Sequence, residues 1–164
     1  HNENLLNSYQ TERSSNVRDY INTAMKMGEL LNSIGGSEVS DTVFVQPDGT
    51  IKMNTIKPQL GKGLGECGDV NRGKIFPSLK FNFGKDFDNI FSFDPILITN
   101  KKINKKKLRI KSYDCSDIPE IEIILKKFKT NTLIIRPDRF ILASTEKNDL
   151  LKFTNFCLNQ IYNS

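Results

Sequence analysis

NTLIIRPDRFILAS, residues 131–144, carries the strongest fold signal in the sequence. Pro137 and Asp138 lie at its centre and predict a tight turn, because proline presets φ near −65° for the first central position. Apolar residues flank this turn on both sides: Ile134, Ile135, Ile141 and Leu142. The segment therefore predicts two antiparallel strands that carry the core of a domain.

Strand and helix patterns alternate on both sides of this hairpin. PILITN (95–100) is typical of a buried strand, and LRIKSYD (108–114) alternates as a half-buried strand does. Asp117 and Glu120 have the spacing of a capping box that begins a helix. The apolar face of that helix comprises Ile121, Ile124, Leu125 and Phe128.

A last helix closes the chain. TEKNDLLKFTNFCLNQIY (145–162) predicts it, with an apolar stripe of Leu150, Leu151, Phe153 or Thr154, Cys157, Leu158 and Ile161. From Pro95 the order is strand, strand, helix, strand, strand, helix, and the lysine run could add a short helix. A β-α-β crossover, an antiparallel pair and a covering helix outline an α/β domain of the thioredoxin-like class.

The N-terminal half is different. Val17, Tyr20, Ile21, Ala24, Gly28 and Leu31 recur at helical spacing, and Gly35-Gly36 is expected to end that helix. From there to about residue 80 we expect little regular structure, with a turn at QPDGT (46–50). We therefore divide the chain into an arm, residues 1–80, and a thioredoxin-like domain, residues 81–164.

GLGECG (63–68) has the glycine spacing G-x-G-x-x-G of a dinucleotide-binding turn. That function requires a preceding strand and a following helix, but Pro58 precedes the glycines and Gly73 follows without a helical stripe. An acidic residue at the expected distance, Asp88, does not end a strand. The context therefore favours a glycine-rich loop over a cofactor site.

The distribution of charge and the single histidine limit the functions that this chain can have. The net charge is +5, and seven Lys or Arg lie between Lys101 and Lys111, without the interleaved aromatics that stack on bases. We expect a solvated face there. The only histidine is His1, which excludes histidine-dependent catalysis and histidine metal sites within this chain.

The three cysteines, Cys67, Cys115 and Cys157, form no C-x-x-C motif, so a thiol oxidoreductase is disfavoured and a reducing cytoplasm is expected. No apolar run has the length that a membrane-spanning helix needs. The carboxylates Glu120 and Glu122 point to different helix sides and do not form an acid/base pair.

Three segments together resemble the C-terminal region of FAD-dependent aromatic hydroxylases, with the 3-(3-hydroxyphenyl)propionate and polyketide-type hydroxylases most similar. LLNSYQTER (5–13), which leads into VRDYINTAMKMGELL (17–31), resembles their YExER helix entry. NRGKIFPSLKF (71–81) is similar to their stretch before the last domain, with Ser78-Leu79 in place of the usual Gln-Pro. TLIIRPDRFILAS (132–144) resembles their strand-turn-strand hallmark around RPD.

The resemblance implies a parent enzyme that uses FAD, NAD(P)H and O₂ to hydroxylate an aromatic ring. The flavin and substrate motifs of such enzymes lie in a larger N-terminal portion, so no catalytic, cofactor-binding or metal-binding residue is carried over to this chain. By itself the chain is expected to be inactive. Its expected partners are that FAD and substrate portion, which would cover apolar residues of the arm, or a second copy in a homodimer.

The alternative is an autonomous basic adaptor of thioredoxin-like fold that binds nucleic acid or acidic partners through Lys101–Lys111. The aromatic substrate, the choice between NADH and NADPH and the oligomeric state have no signature in the sequence.

Overall fold

The computed structural model describes residues 3–32, 43–45, 51–53, 59–65, 68–77 and 93–162. Within them lie three α-helices, six strands and one 3₁₀ turn. In chain order they are α1 (Glu3–Asn32), β1 (Val43–Val45), β2 (Ile51–Met53), β3 (Ile96–Thr99), the 3₁₀ turn (Lys105–Lys107), β4 (Lys111–Asp114), α2 (Ile121–Phe128), β5 (Thr132–Ile135), β6 (Ile141–Thr145) and α3 (Leu150–Tyr162). No helix among these residues is long and apolar enough to cross a membrane.

The fold is α/β and centres on a mixed sheet in the order β4-β3-β5-β6. Strands β3 and β4 are parallel, whereas β3 with β5 and β5 with β6 are antiparallel. The predicted order of elements from Pro95 onward is confirmed. Only the 3₁₀ turn at Lys105–Lys107 lies in the crossover between the two parallel strands.

The sheet separates two apolar clusters because successive side chains of a strand point to opposite faces. Helix α2 covers one face. The buried members of that cluster are Phe76, Ile96, Ile98, Ile118, Ile121, Ile124, Leu125, Leu133, Ile135 and Ile141. Helix α3 covers the other face, where the buried members are Leu97, Ile110, Ile134, Leu142, Ala143, Cys157 and Leu158. The two central strands, β3 and β5, therefore lack an exposed face, which explains their largely apolar sequences.

The hairpin of residues 131–144 forms as predicted. The Arg139 backbone N–H donates to the Arg136 carbonyl at 3.0 Å, and the Arg136 N–H donates to the Phe140 carbonyl at 2.9 Å. Arg139 has a φ of 68°, which completes the turn after Pro137 and Asp138. The pairing register shifts between Ile134 and Ile135.

The predicted capping box is wrong. The Glu120 side chain makes no cap hydrogen bond at the start of α2. Asp117 instead accepts the Asp114 backbone N–H at 2.9 Å and pairs with Lys105, so it organises the turn that follows β4. The stripe of α3 also needs a correction, since Leu151 is 45% exposed while Thr154 is buried.

The segment between residues 35 and 80 contains more regular structure than the sequence indicated, because β1 and β2 form an antiparallel pair. Residues 71–77 also join the sheet region. The Gly73 N–H donates to the Ile141 carbonyl at 2.8 Å, the Ile141 N–H donates to the Lys74 carbonyl at 2.9 Å, and Phe76 lies in the core beside α2. The division at residue 80 stays a prediction. Gly35-Gly36, QPDGT and Asp88 lie outside the described residues.

Candidate functional site

A carboxylate in the first half of α1 is buried, which is unusual for a charged side chain. Glu12 is 1% exposed and Asn16 is 2% exposed, although both are polar. The Glu12 carboxylate accepts hydrogen bonds from the Leu64 N–H at 2.7 Å, Arg72 Nη2 at 3.2 Å and Arg136 Nη1 at 2.6 Å. A buried charge is costly unless it is paired and hydrogen-bonded, and these three donors satisfy it.

The two arginines that surround Glu12 are themselves held by further acceptors. Arg72 donates through Nε to the Leu64 carbonyl and through Nη1 to the Gly61 carbonyl at 2.8 Å. Arg136 donates through Nη2 to Asp138 at 2.9 Å. The two cations are therefore balanced by two carboxylates. We call Glu12, Arg72, Arg136 and Asp138 the Glu12 cluster.

The glycine-rich loop allows the close approach that this cluster needs. A Cβ at Gly63 would overlap the Glu12 side chain, and a Cβ at Gly65, which has a φ of 107°, would overlap the Leu142 carbonyl oxygen. The Gly61 N–H donates to the Glu12 carbonyl at 2.8 Å. The glycines therefore pack the loop against α1.

The same contacts engage backbone groups of the G-x-G-x-x-G segment. The N–H groups of Leu64 and Gly65, which a pyrophosphate would need, already donate to Glu12 and to Gln160 Oε1 at 2.7 and 2.8 Å. Residues 59–65 and 68–77 contain no helix or named strand. In its described part, the predicted glycine-rich loop is therefore confirmed.

Arg13, next to Glu12, packs on aromatic rings. Its guanidinium lies 5.8 Å from the ring centroid of Tyr9 and 5.4 Å from that of Phe140. Both distances are within the range of cation–π attraction. The α1 helix thus contacts the residues on both sides of the RPDR turn, Arg136 through Glu12 and Phe140 through Arg13.

A second polar network fastens residues 68–77 to β6. Asp69 accepts hydrogen bonds from the backbone N–H and the hydroxyl of Ser144, and from the Asn71 N–H at 2.9 Å. The Asn71 amide donates to the Phe128 carbonyl at 2.9 Å and to Ser144 Oγ at 3.1 Å. These groups satisfy one another, so the network is structural.

The two described cysteines, Cys115 and Cys157, pack with the apolar clusters of the sheet. Burial raises the pKa of the Cys115 thiol, and the neighbouring carboxylates of Glu122 and Asp114 raise it further. A thiol with a raised pKa is a poor nucleophile near neutral pH. Cys157 is fully buried in the cluster beneath α3, as predicted. Cys67 lies outside the described residues.

In the lysine run, residues 101–111, some cations bind protein acceptors and others are exposed. Lys101 Nζ donates to the carbonyls of Glu146 and Lys147 at 3.0 and 2.8 Å. Lys105 pairs with Asp117, and this hydrogen bond raises the pKa of Lys105. Lys106 and Lys107 are exposed.

The sequence predicted no catalytic, cofactor-binding or metal-binding residue, and within residues 3–32, 43–45, 51–53, 59–65, 68–77 and 93–162 no group of His, Cys, Asp and Glu could hold a metal ion. Sequence reasoning missed Glu12, because nothing in helical periodicity marks a buried carboxylate. The available signal was the family resemblance that the sequence suggests for residues 5–13, which include Glu12. Comparisons with family models, curated proteins and solved structures find no match to this chain.

Proposed function

We propose that this chain is the C-terminal, non-catalytic region of a FAD-dependent monooxygenase that hydroxylates an aromatic substrate with NAD(P)H and O₂. In this proposal FAD, NAD(P)H and the substrate bind the larger N-terminal portion of the parent enzyme in the cytoplasm. The present chain supplies an arm and a thioredoxin-like domain that dock on that portion. By itself it hydroxylates nothing.

The observation that carries the proposal is the composition of the Glu12 cluster. The three segments that resemble the hydroxylases are 5–13, 71–81 and 132–144, and each contributes at least one member. Glu12 comes from the first, Arg72 from the second and Arg136 from the third, and Glu12 binds both arginines. Segments that are far apart in sequence therefore make one junction, as expected if they were inherited together from such an enzyme.

The sheet supports the thioredoxin-like part of the proposal. A parallel pair, β3 and β4, is followed by α2, an antiparallel pair and α3. This is the outline expected for that class, with the first helix reduced to the 3₁₀ turn. Cys115 is a single thiol with a raised pKa, so the domain serves for contact rather than for thiol exchange.

The FAD portion would precede residue 1, so its contact with this chain would begin at the N-terminal end of α1. Two large side chains are available there. Leu6 is 70% exposed and Tyr9 is 56% exposed. Covering exposed apolar side chains of this size is the usual basis of contact between domains.

The second candidate function is a basic adaptor that binds nucleic acid or acidic partners through Lys101–Lys111. The exposure of Lys106 and Lys107 favours it, but Lys101 and Lys105 already hold protein acceptors. An electrophoretic shift of labelled single-stranded and duplex DNA near physiological salt separates the two functions. The adaptor requires a shift at low micromolar protein that weakens steeply with added salt.

The proposed function is tested directly by isolating the protein from its source cells with an antibody raised against this chain. We expect a polypeptide much larger than 18.7 kDa that releases FAD on denaturation, whereas the recombinant chain of 164 residues is colourless and does not bind FAD. A native 18.7 kDa polypeptide without flavin would contradict the proposal.

A further inference from the structure

The second half of α1 has an exposed apolar face. Val17, Tyr20, Ile21 and Met25 are between 48% and 59% exposed, and Ala24 is exposed as well. Exposing apolar side chains of this size to water is unfavourable. A contiguous group of this kind marks an interaction site.

These residues form one continuous stripe. At roughly 100° per residue, Val17, Ile21, Ala24 and Gly28 lie within about 60° of one another on the helix, with Tyr20 and Met25 at the two margins. We call these six residues the α1 stripe. Arg13 lies in sequence between the stripe and the exposed Leu6 and Tyr9, and its guanidinium packs on the rings of Tyr9 and Phe140.

We propose that the α1 stripe binds the same stripe of a second copy of this chain, in an antiparallel helix pair with a two-fold axis between Asn22 and Thr23. This arrangement places Val17 against Gly28 of the other copy and Ile21 against Ala24 of the other copy. Val17 and Ile21 then each meet a small residue. A Cβ at Gly28 would have no atom within 4 Å, so there is space for Val17 of the other copy.

Charge complementarity supports this register. Arg18 and Glu29 lie at the same margin of the stripe, about 20° apart around the helix. In the antiparallel pair, Arg18 of each copy lies beside Glu29 of the other copy, so two ion pairs flank the apolar contact. A parallel pair would put this margin of the two copies on opposite sides of the contact, so Arg18 and Glu29 could not form these ion pairs.

The size of the α1 stripe sets the affinity that we expect for the dimer. Six residues over three turns bury less area than the 1,200–2,000 Å² of a standard interface. We therefore expect dimers with a dissociation constant of about 10 to 100 micromolar, since small interfaces leave little free energy after the loss of rotational and translational freedom. The inference stands independently of the relationship to flavin enzymes.

Sedimentation equilibrium of the full 164-residue chain tests the proposal. We expect the apparent mass to rise from 18.7 kDa toward twice that value as the concentration increases to a few hundred micromolar. Ile21→Glu abolishes this rise, because it places two carboxylates in the apolar contact. Ile123→Glu is the matched control: Ile123 is 71% exposed on α2, and this variant dimerises as the wild type does. Circular dichroism verifies that both variants are folded.

Charge reversal tests the register. Arg18→Glu and Glu29→Arg each create two like-charge contacts and weaken their own dimers roughly tenfold. An equimolar mixture of the two variants restores the opposite pairs and should associate as the wild type does. A wild-type chain that stays monomeric at several hundred micromolar overturns the proposal and leaves the stripe for another surface, such as the FAD portion. Dimerisation of Ile21→Glu would also overturn the proposal. So would an equimolar mixture of Arg18→Glu and Glu29→Arg that associates no more tightly than either variant alone.

Discussion

The sheet and the α1 junction are held together by different interactions. The sheet is buried on both faces by aliphatic side chains, and Ile96, Ile98 and Ile134 are fully inaccessible. The junction between α1 and the rest of the chain is instead polar at its centre, where Glu12 binds two arginines. Burial stabilises the sheet by an amount that grows with its apolar area, whereas the junction depends on a few groups that must all be present.

This contrast shows that the apolar face of an amphipathic helix is not always the face that packs on its own domain. In α1 the apolar stripe is exposed, while Glu12 and Asn16 are buried and Glu12 accepts the Leu64 N–H of the glycine-rich loop. An amphipathic pattern predicts a helix correctly, but it does not say which partner covers the apolar side. In this chain the polar side of α1 packs on the glycine-rich loop, and the apolar side is exposed.

The largest effect is expected in the sheet. Ile98→Ala removes most of a fully buried side chain between β3 and α2, and such truncations cost about 2 to 5 kcal/mol of unfolding free energy. Urea denaturation followed by circular dichroism measures the loss. The exposed Ile123→Ala is the control, with a change below about 0.5 kcal/mol. Equal losses for the two variants would contradict the described core.

The next largest effect is expected at the junction. Glu12→Gln keeps the size of the side chain but removes its charge and one acceptor, so Arg72 and Arg136 lose their shared carboxylate. Loss of one partner of a buried ion pair costs about 3 kcal/mol. Limited trypsin digestion should cleave α1 rapidly in this variant and leave the sheet intact. Asp19→Asn, at an exposed position of the same helix, should digest like the wild type; equal digestion of all three proteins would contradict the account.

A smaller effect is expected from the loop. Gly63→Ala adds a Cβ that overlaps Glu12, so the loop must move away from α1 at a cost of about 1 to 3 kcal/mol. The measurement is again the rate of tryptic cleavage within α1. Lys62→Ala, at the exposed neighbouring position, is the control and leaves the rate unchanged. A Gly63→Ala protein as resistant as the wild type would mean that the loop does not press on Glu12.

The smallest effect concerns acid stability. A hydrogen bond from the Ser116 hydroxyl lowers the pKa of Asp114 below its ordinary value of 3.8, against the opposing effect of burial. The stabilisation is therefore complete above pH 3.8 and is lost as the pH falls through the lower folded pKa. Asp114→Asn should reduce stability at neutral pH and make it less sensitive to pH below 3.8. Thermal unfolding across that range measures this, and an unchanged pH dependence would contradict it.

The sequence predicted the sheet well because its signals are local. Pro137 and Asp138 marked the turn, and the spacing of Ile121, Ile124 and Leu125 marked the buried face of α2. Asp117 was misread as part of a capping box because its true partners, Lys105 and the Asp114 N–H, depend on the tertiary path of the chain. Glu12 was missed for the same reason, since Leu64 and Arg136 lie 52 and 124 residues away.

Residue-level amide hydrogen exchange of the wild type and of Glu12→Gln, at a concentration below that of self-association, tests the central claim most directly. If Glu12 fastens α1 to an independently stable sheet, the variant loses protection across α1 and in the loop of Gly61–Gly65, while the amides of β3 and β5 keep theirs. Unchanged protection of α1, or an equal loss in α1, β3 and β5, would contradict the account.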